Sequence, residues 1–202
     1  MIRIDIQPHD PPALRPIARA VAELHRGAVA AYPTDTLYAL GCAIDAKRSA
    51  ESLYRIKGME KSQRLALICP DLSTAALYAH FSQAAFKMAQ RIFPGPYTMV
   101  LPATREVPRI LMDRRRRTVG IRIVDHPVTA ALVRGLGRPL LTTSAIGSDG
   151  ELCIDADDVE EQFPRGLDFV IDSGPTPGGV STVLGAFGEE IELIREGIGP
   201  VP

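Results

Sequence analysis

Short apolar runs alternate along the chain with apolar positions at helical spacing, and that alternation predicts its elements. Residues 2–6 alternate apolar and polar with β-branched side chains, the period of a half-buried strand. Asp10 ahead of Pro11 and Pro12 signals a helix start, Leu14, Ile17, Ala18, Val21 and Leu24 follow at helical spacing, and Gly27 stops the pattern. Residues 28–32 read as a buried strand ending at Pro33, with residues 33–41 as the loop after it. Residues 47–56 predict a helix that buries Leu53, Tyr54 and Ile56, and residues 65–69 a strand. Asp71 caps a helix over about 72–80, and Ser82 caps another that runs to Phe93. Pro94-Gly95-Pro96 forces a turn before a strand at 97–101. Strands at 118–123 and 139–143 flank a helix opened by Pro127. Residues 144–156 read as irregular, a helix lies near 157–163, and strands at 167–171, 180–184 and 190–195 follow. This order predicts an α/β fold with a mixed sheet. No repeat or long linker divides residues 1–202, which read as one domain.

Composition narrows the class. Of 202 residues 46% are apolar and 23% charged, with no tryptophan and 5% aromatics, so aliphatic side chains must fill the core. Disorder, collagen and coiled coil are excluded. No run approaches the ~20 apolar residues of a membrane span, and the first residues lack an apolar signal core, which predicts a cytoplasmic protein without a membrane partner. Cys42, Cys69 and Cys153 form no CxxC pair, and His9, His25, His80 and His126 form no HExxH, so no permanent metal is expected.

A net charge of −1 hides an asymmetry. Residues 1–148 carry 21 Lys/Arg against 11 Asp/Glu, whereas residues 149–202 carry 2 against 13. Such a split points to a basic surface for an anionic partner: nucleotide, nucleic acid, or the acidic end of the chain itself.

Five segments could carry chemistry. PTDTLYALG (33–41) follows a buried strand, where open α/β sheets bind ligands, and its hydroxyls flank a carboxylate. A tight turn has the same residues. Lys57-Gly58 to Arg64 gathers cations beside a glycine, as a triphosphate cradle or a solvated loop would; neither a P-loop nor GxGxxG is present. Arg114, Arg115, Arg116 and Arg117 are consecutive and cannot share one face, while Arg122 lies inside the apolar strand that follows and needs a partner or ligand. Thr142, Thr143 and Ser144 place three hydroxyls at a strand end, and Ser181-Thr182 and Arg195 bracket the last strands.

Taken in order, PTDTLYALG, the Lys57 helix end, PGPYTMVLPA, TVGIRIVDHP, PLLTTSA, STV and IREG resemble the YrdC-like family, the threonylcarbamoyl-AMP synthases of tRNA modification, over roughly residues 12–198. The stretch EVPRILMDRRRRTVGIRI is most similar to the YciO branch. The resemblance implies a twisted mixed sheet flanked by helices, with a concave basic cleft. It implies that L-threonine, bicarbonate and ATP with Mg²⁺ become threonylcarbamoyl-adenylate and pyrophosphate, ahead of a tRNA threonylcarbamoyl transferase. Carried over by position, it implies Lys57 and Arg122 as catalytic and Thr34, Thr36, Arg122 and Thr142 around threonine. It likewise implies Lys57, Gln63, Arg64, Thr118, Ser144 and Arg195 around ATP. The sequence departs from the family at Met59, where Lys-x-Arg has its arginine, and at Ile146, where Ser-x-Asn has its asparagine. These departures sustain a second reading: a YciO-type protein that binds tRNA or double-stranded RNA, or associates with ribosomes, through residues 114–117, without the synthesis.

Overall fold

The computed structural model describes residues 1–58, 65–108 and 117–202. Among these residues ten strands form one sheet: β1 (Ile2–Asp5), β2 (Ala30–Tyr32), β3 (Ala39–Ala43), β4 (Ala66–Ile68), β5 (Tyr97–Pro102), β6 (Thr118–Arg122), β7 (Leu140–Ser144), β8 (Phe169–Asp172), β9 (Thr182–Ala186) and β10 (Ile191–Arg195). Their order is β1-β8-β2-β3-β7-β4-β6-β5-β9-β10, with parallel and antiparallel neighbours mixed. Six helices accompany them: α1 (Leu14–His25), α2 (Lys47–Ile56), α3 (Leu72–Tyr78), α4 (Gln83–Ile92), α5 (Pro127–Leu136) and α6 (Ala156–Gln162).

Local signals set most boundaries. Asp71 and Ser82 accept from the Thr74 and Ala85 amides and so cap α3 and α4. Pro127 opens α5, and Asp155 and Asp158 form a reciprocal capping box on α6. Two expectations change. Helix α1 begins at Leu14 instead of at the prolines, with Ala13 outside the helical region at its N-cap (φ −57°, ψ 123°). Strand β3 takes up the last residues of the predicted loop, 39–41, and continues to Ala43. It is buried along its whole length between β2 and β7, so its Ala-Leu-Gly-Cys-Ala sequence neither alternates nor uses strong strand formers.

Side-chain alternation divides the sheet into two faces. One carries Leu40, Leu67, Met99, Ile121 and Leu141, buried under α2, α3, α4 and α6. The other carries Ile4, Ala30, Tyr32, Ala39, Leu140 and Phe169 under α1 and α5. Those two helices cover only part of that face. Beyond them Ala66, Thr98, Val100, Gly120 and Ser144 are half-exposed, while their opposite-face neighbours Leu67, Met99, Leu101 and Ile121 are buried. The alternation in β5, buried then half-buried, marks this open stretch.

Charge is partly reconciled inside the molecule. Arg3 bonds Asp157 at 2.6 Å and Asp172 at 2.7 Å, so the acidic end neutralises at least one cation of the basic half. No helix among the described residues is long and apolar enough to cross a membrane. The three cysteines are buried, and burial pushes their thiols up to about 12.

Gly41 is a packing requirement. A Cβ there would stand 2.3 Å from the Leu141 carbonyl oxygen and 2.4 Å from the Tyr32 hydroxyl, on the face where Tyr32 bonds Thr142. Gly41→Ala is expected to cost roughly 1–3 kcal/mol in urea unfolding, and a neutral result would contradict the close approach. His126, at the N-cap position of α5, has an unpartnered Nδ1, and burial holds its imidazolium down to about 4. Between that value and the unfolded value near 6.5 the unfolded chain binds the extra proton, so stability present above 6.5 is lost as pH falls. His126→Gln is expected to flatten this loss by on the order of 1 kcal/mol between pH 6.5 and 4.5. Parallel stability curves for the two proteins would remove His126 from the account.

Candidate functional site

Ile68 of β4 lies opposite Arg122 on one side and Leu140 on the other. Alternation therefore puts Thr118, Gly120, Arg122, Thr142 and Ser144 on one face, the partly uncovered one. Arg122 is the last residue of β6, and its side chain is 6% exposed. Its Nη2 donates to Asp35 Oδ1 at 2.8 Å and to Thr36 Oγ1 at 3.2 Å. Its Nε is buried and has no hydrogen-bond partner.

Residues 33–36 are fixed from several directions. Thr129 of α5 donates to the Pro33 carbonyl, and the Asp125 amide donates to Asp35 Oδ2 at 2.9 Å. Thr34 Oγ1 donates to the Leu37 carbonyl, so the 2.8 Å contact between Thr34 and Thr36 must carry the Thr36 proton. The result is a one-way chain from Arg122 through Thr36 and Thr34 to Leu37. It leaves Thr36 Oγ1 one unused lone pair.

Both members of the ion pair bear the cost of burial. Desolvation raises the Asp35 carboxyl, against the pull of Arg122 and the Asp125 amide. Desolvation also lowers the Arg122 guanidinium, Asp35 opposes that shift, and Arg195 adds to it from nearby. Such pairs seldom repay their desolvation in stability. An orphaned Nε beside one calls for an acceptor, from water or from a ligand.

The remaining groups extend from this centre. Thr118, at the start of β6, has a buried Oγ1 without a partner. Thr142 accepts from the Tyr32 hydroxyl at 2.9 Å, and burial raises the Tyr32 phenol, so this donor stays protonated. Arg195 ends β10 and donates to the carbonyl and hydroxyl of Ser181, whose Oγ also bonds Thr98 at 2.9 Å. Among the described residues no carboxylate pairs with Arg195. Ser144 is half-exposed on the same face, and Thr143 points to the other.

Lys57 bonds to other groups than the Arg122 cluster does. It is the C-cap of α2, its Nζ donates to the Ile146 carbonyl at 2.5 Å, and it lies 5.3 Å from the centroid of the Phe163 ring. Burial holds its ammonium below the ordinary lysine range. Arg117 is exposed with φ 51°, directly before Thr118. Gln63, Arg64, Met59, Arg114, Arg115 and Arg116 lie outside the described residues. Tyr32, Thr98 and the Asp125 amide were missed in the sequence. Tyr32 looked like core, and a backbone amide leaves no sequence signal.

The comparisons agree with this architecture. The Sua5/YciO/YrdC family model, described as "Telomere recombination", matches residues 22–197. The chain is 34% identical to the uncharacterized protein YciO of Escherichia coli over 193 residues, 95% of this chain and 94% of that one. The crystal structure of E. coli YciO superposes with a TM-score of 0.90, over 98% of this chain and 96% of that one. A threonylcarbamoyl-AMP synthase of Serratia proteamaculans is 37% identical over 145 residues, 69% of this chain and 75% of its own. P. abyssi Sua5 complexed with L-threonine, at 27% identity, gives a TM-score of 0.90 over 98% of this chain and 58% of that one. A ten-stranded mixed sheet with this sequence match makes the chain a member of the Sua5/YciO/YrdC family.

Proposed function

We propose that the chain is a threonylcarbamoyl-AMP synthase-type nucleotidyltransferase, joining L-threonine, bicarbonate and ATP into threonylcarbamoyl-adenylate and pyrophosphate for tRNA modification. The observation that carries this reading is the buried Arg122 with its unpartnered Nε, on the same sheet face as Thr118, Thr142 and Ser144 and close to Arg195. A carboxylate fits the guanidinium edge by a charge-assisted bond. Arg195, held on neutral Ser181 acceptors, supplies a cation for phosphate. The ammonium loses a proton to bulk water, the amino nitrogen attacks bicarbonate carbon with loss of water, the carbamate oxygen attacks the α-phosphorus, and the bond to the β-phosphate breaks with pyrophosphate leaving. Among the described residues no three His, Cys, Asp or Glu side chains gather to hold a metal, so Mg²⁺ would arrive on the nucleotide's phosphates.

A second reading keeps the cleft but not the synthesis: a protein associated with tRNA, double-stranded RNA or ribosomes. One observation favours it. The Lys57 ammonium, which the synthase reading assigns to phosphates, is engaged by the Ile146 carbonyl and lies over Phe163.

Pyrophosphate release from ATP separates the two. The synthase reading expects release only with L-threonine and bicarbonate both present; release indifferent to either overturns it. Arg122→Lys keeps a cation beside Asp35 but loses the planar fork, so threonine-dependent release should fall by about 10²-fold, from loss of a charged bond of about 1.5–3 kcal/mol. Lys57→Met should weaken ATP binding about tenfold, the loss of one phosphate contact of about 1.4 kcal/mol. Unchanged ATP affinity in that variant, measured by calorimetry, argues for the RNA-associated reading.

A further inference from the structure

The synthase reading places a carboxylate at Arg122 and leaves Asp35 without a role, yet Asp35 is the more informative residue. Its carboxylate is 7% exposed, bonds Arg122 at 2.8 Å and accepts the Asp125 amide at 2.9 Å. A bare arginine would serve a simple anion better. An adjacent carboxylate cancels the guanidinium charge at short range and repels any ligand that is only negative. The two cations of the site therefore differ in kind. Arg122 belongs to a neutral pair, while Arg195 rests on the Ser181 carbonyl and hydroxyl, with no carboxylate paired to it among the described residues.

We propose that Asp35 is a specificity-determining positioning residue: it neutralises Arg122 and engages Nη2, leaving the buried Nε as the unpartnered donor, so that this half of the cleft selects an α-amino acid zwitterion over a plain carboxylate. This deepens the synthase reading and rests on it. The ligand carboxylate meets Nε, and its ammonium lies in the field of Asp35 with the spare Thr36 lone pair as acceptor. A ligand without the ammonium meets Asp35 uncompensated. A ligand without the carboxylate leaves Nε orphaned, and an unpaired buried donor is costly. Division into a neutral pair and a single cation also keeps a nucleotide's phosphates at Arg195, because they gain little from a guanidinium already neutralised.

The test is calorimetric binding of L-threonine, its des-amino analogue 3-hydroxybutyrate, and its des-carboxy analogue threoninol, to the full chain. The wild type is expected to bind threonine at least about tenfold more tightly than either analogue, the worth of one charge interaction of about 1.4 kcal/mol. In Asp35→Asn, threonine should weaken while 3-hydroxybutyrate gains, so their ratio falls by about tenfold or more. Loss of packing alone would weaken both together and leave the ratio unchanged. A wild type that binds 3-hydroxybutyrate as tightly as threonine overturns the proposal without any variant, even if Asp35→Asn does not fold. A ratio unchanged in a folded Asp35→Asn also overturns it while leaving the synthase reading standing. A wild type that takes none of the three overturns both.

Discussion

A guanidinium buried at the end of a central strand is the constraint around which the rest of the cleft is arranged. Arg122 cannot be solvated, because its side chain is 6% exposed, so its donors must be met by the protein or by a ligand. Asp35 and Thr36 meet one nitrogen, and Nε is left unmet. Holding Asp35 in turn requires the Asp125 amide before α5, and holding the 33–36 segment requires Thr129 inside α5. The helix that packs one half of the sheet thus also sets the electrostatics of the other half.

That division of labour explains the use of small residues. Under α1 and α5 the face is filled by Ile4, Leu140 and Phe169; beyond them it is lined by Ala66, Gly120 and Thr98, which leave room above the strands. A Cβ on Gly120 would touch Ala66 and Thr98 at 3.2 and 3.3 Å, and one on Gly41 would strike backbone. Large side chains at Ala66, Thr98 or Gly120 would cover this open stretch of the face. The opposite face pays for none of this openness, since Leu67, Met99 and Ile121 pack fully beneath it.

Much of the fold was legible because the relevant signals are local. Helix caps at Asp71 and Ser82, the Pro127 start and the alternating strands at 2–6 and 97–101 all depend on neighbours in sequence. Strand β3 was not legible, because a strand buried on both faces shows no period. In the site, the cation inside an apolar strand announced Arg122 by its cost alone. Its partner could not be read, since Asp35 is 87 residues away and looks like an ordinary turn carboxylate. The surroundings of Lys57 were equally hidden: its contacts, Ile146 and Phe163, come from a loop and a helix end that only folding brings together.

The account depends on Nε of Arg122 being the donor that a ligand carboxylate meets. Arginine Nε–H resonances in a ¹⁵N-labelled chain, assigned by loss of one signal in Arg122→Lys, report that atom directly during titration with L-threonine. The account predicts that the Arg122 Nε–H signal moves in step with threonine saturation and exchanges more slowly with water, while that of Arg3, held by Asp172 and Asp157, stays in place. An Arg122 Nε–H signal that does not move when threonine is bound would contradict it.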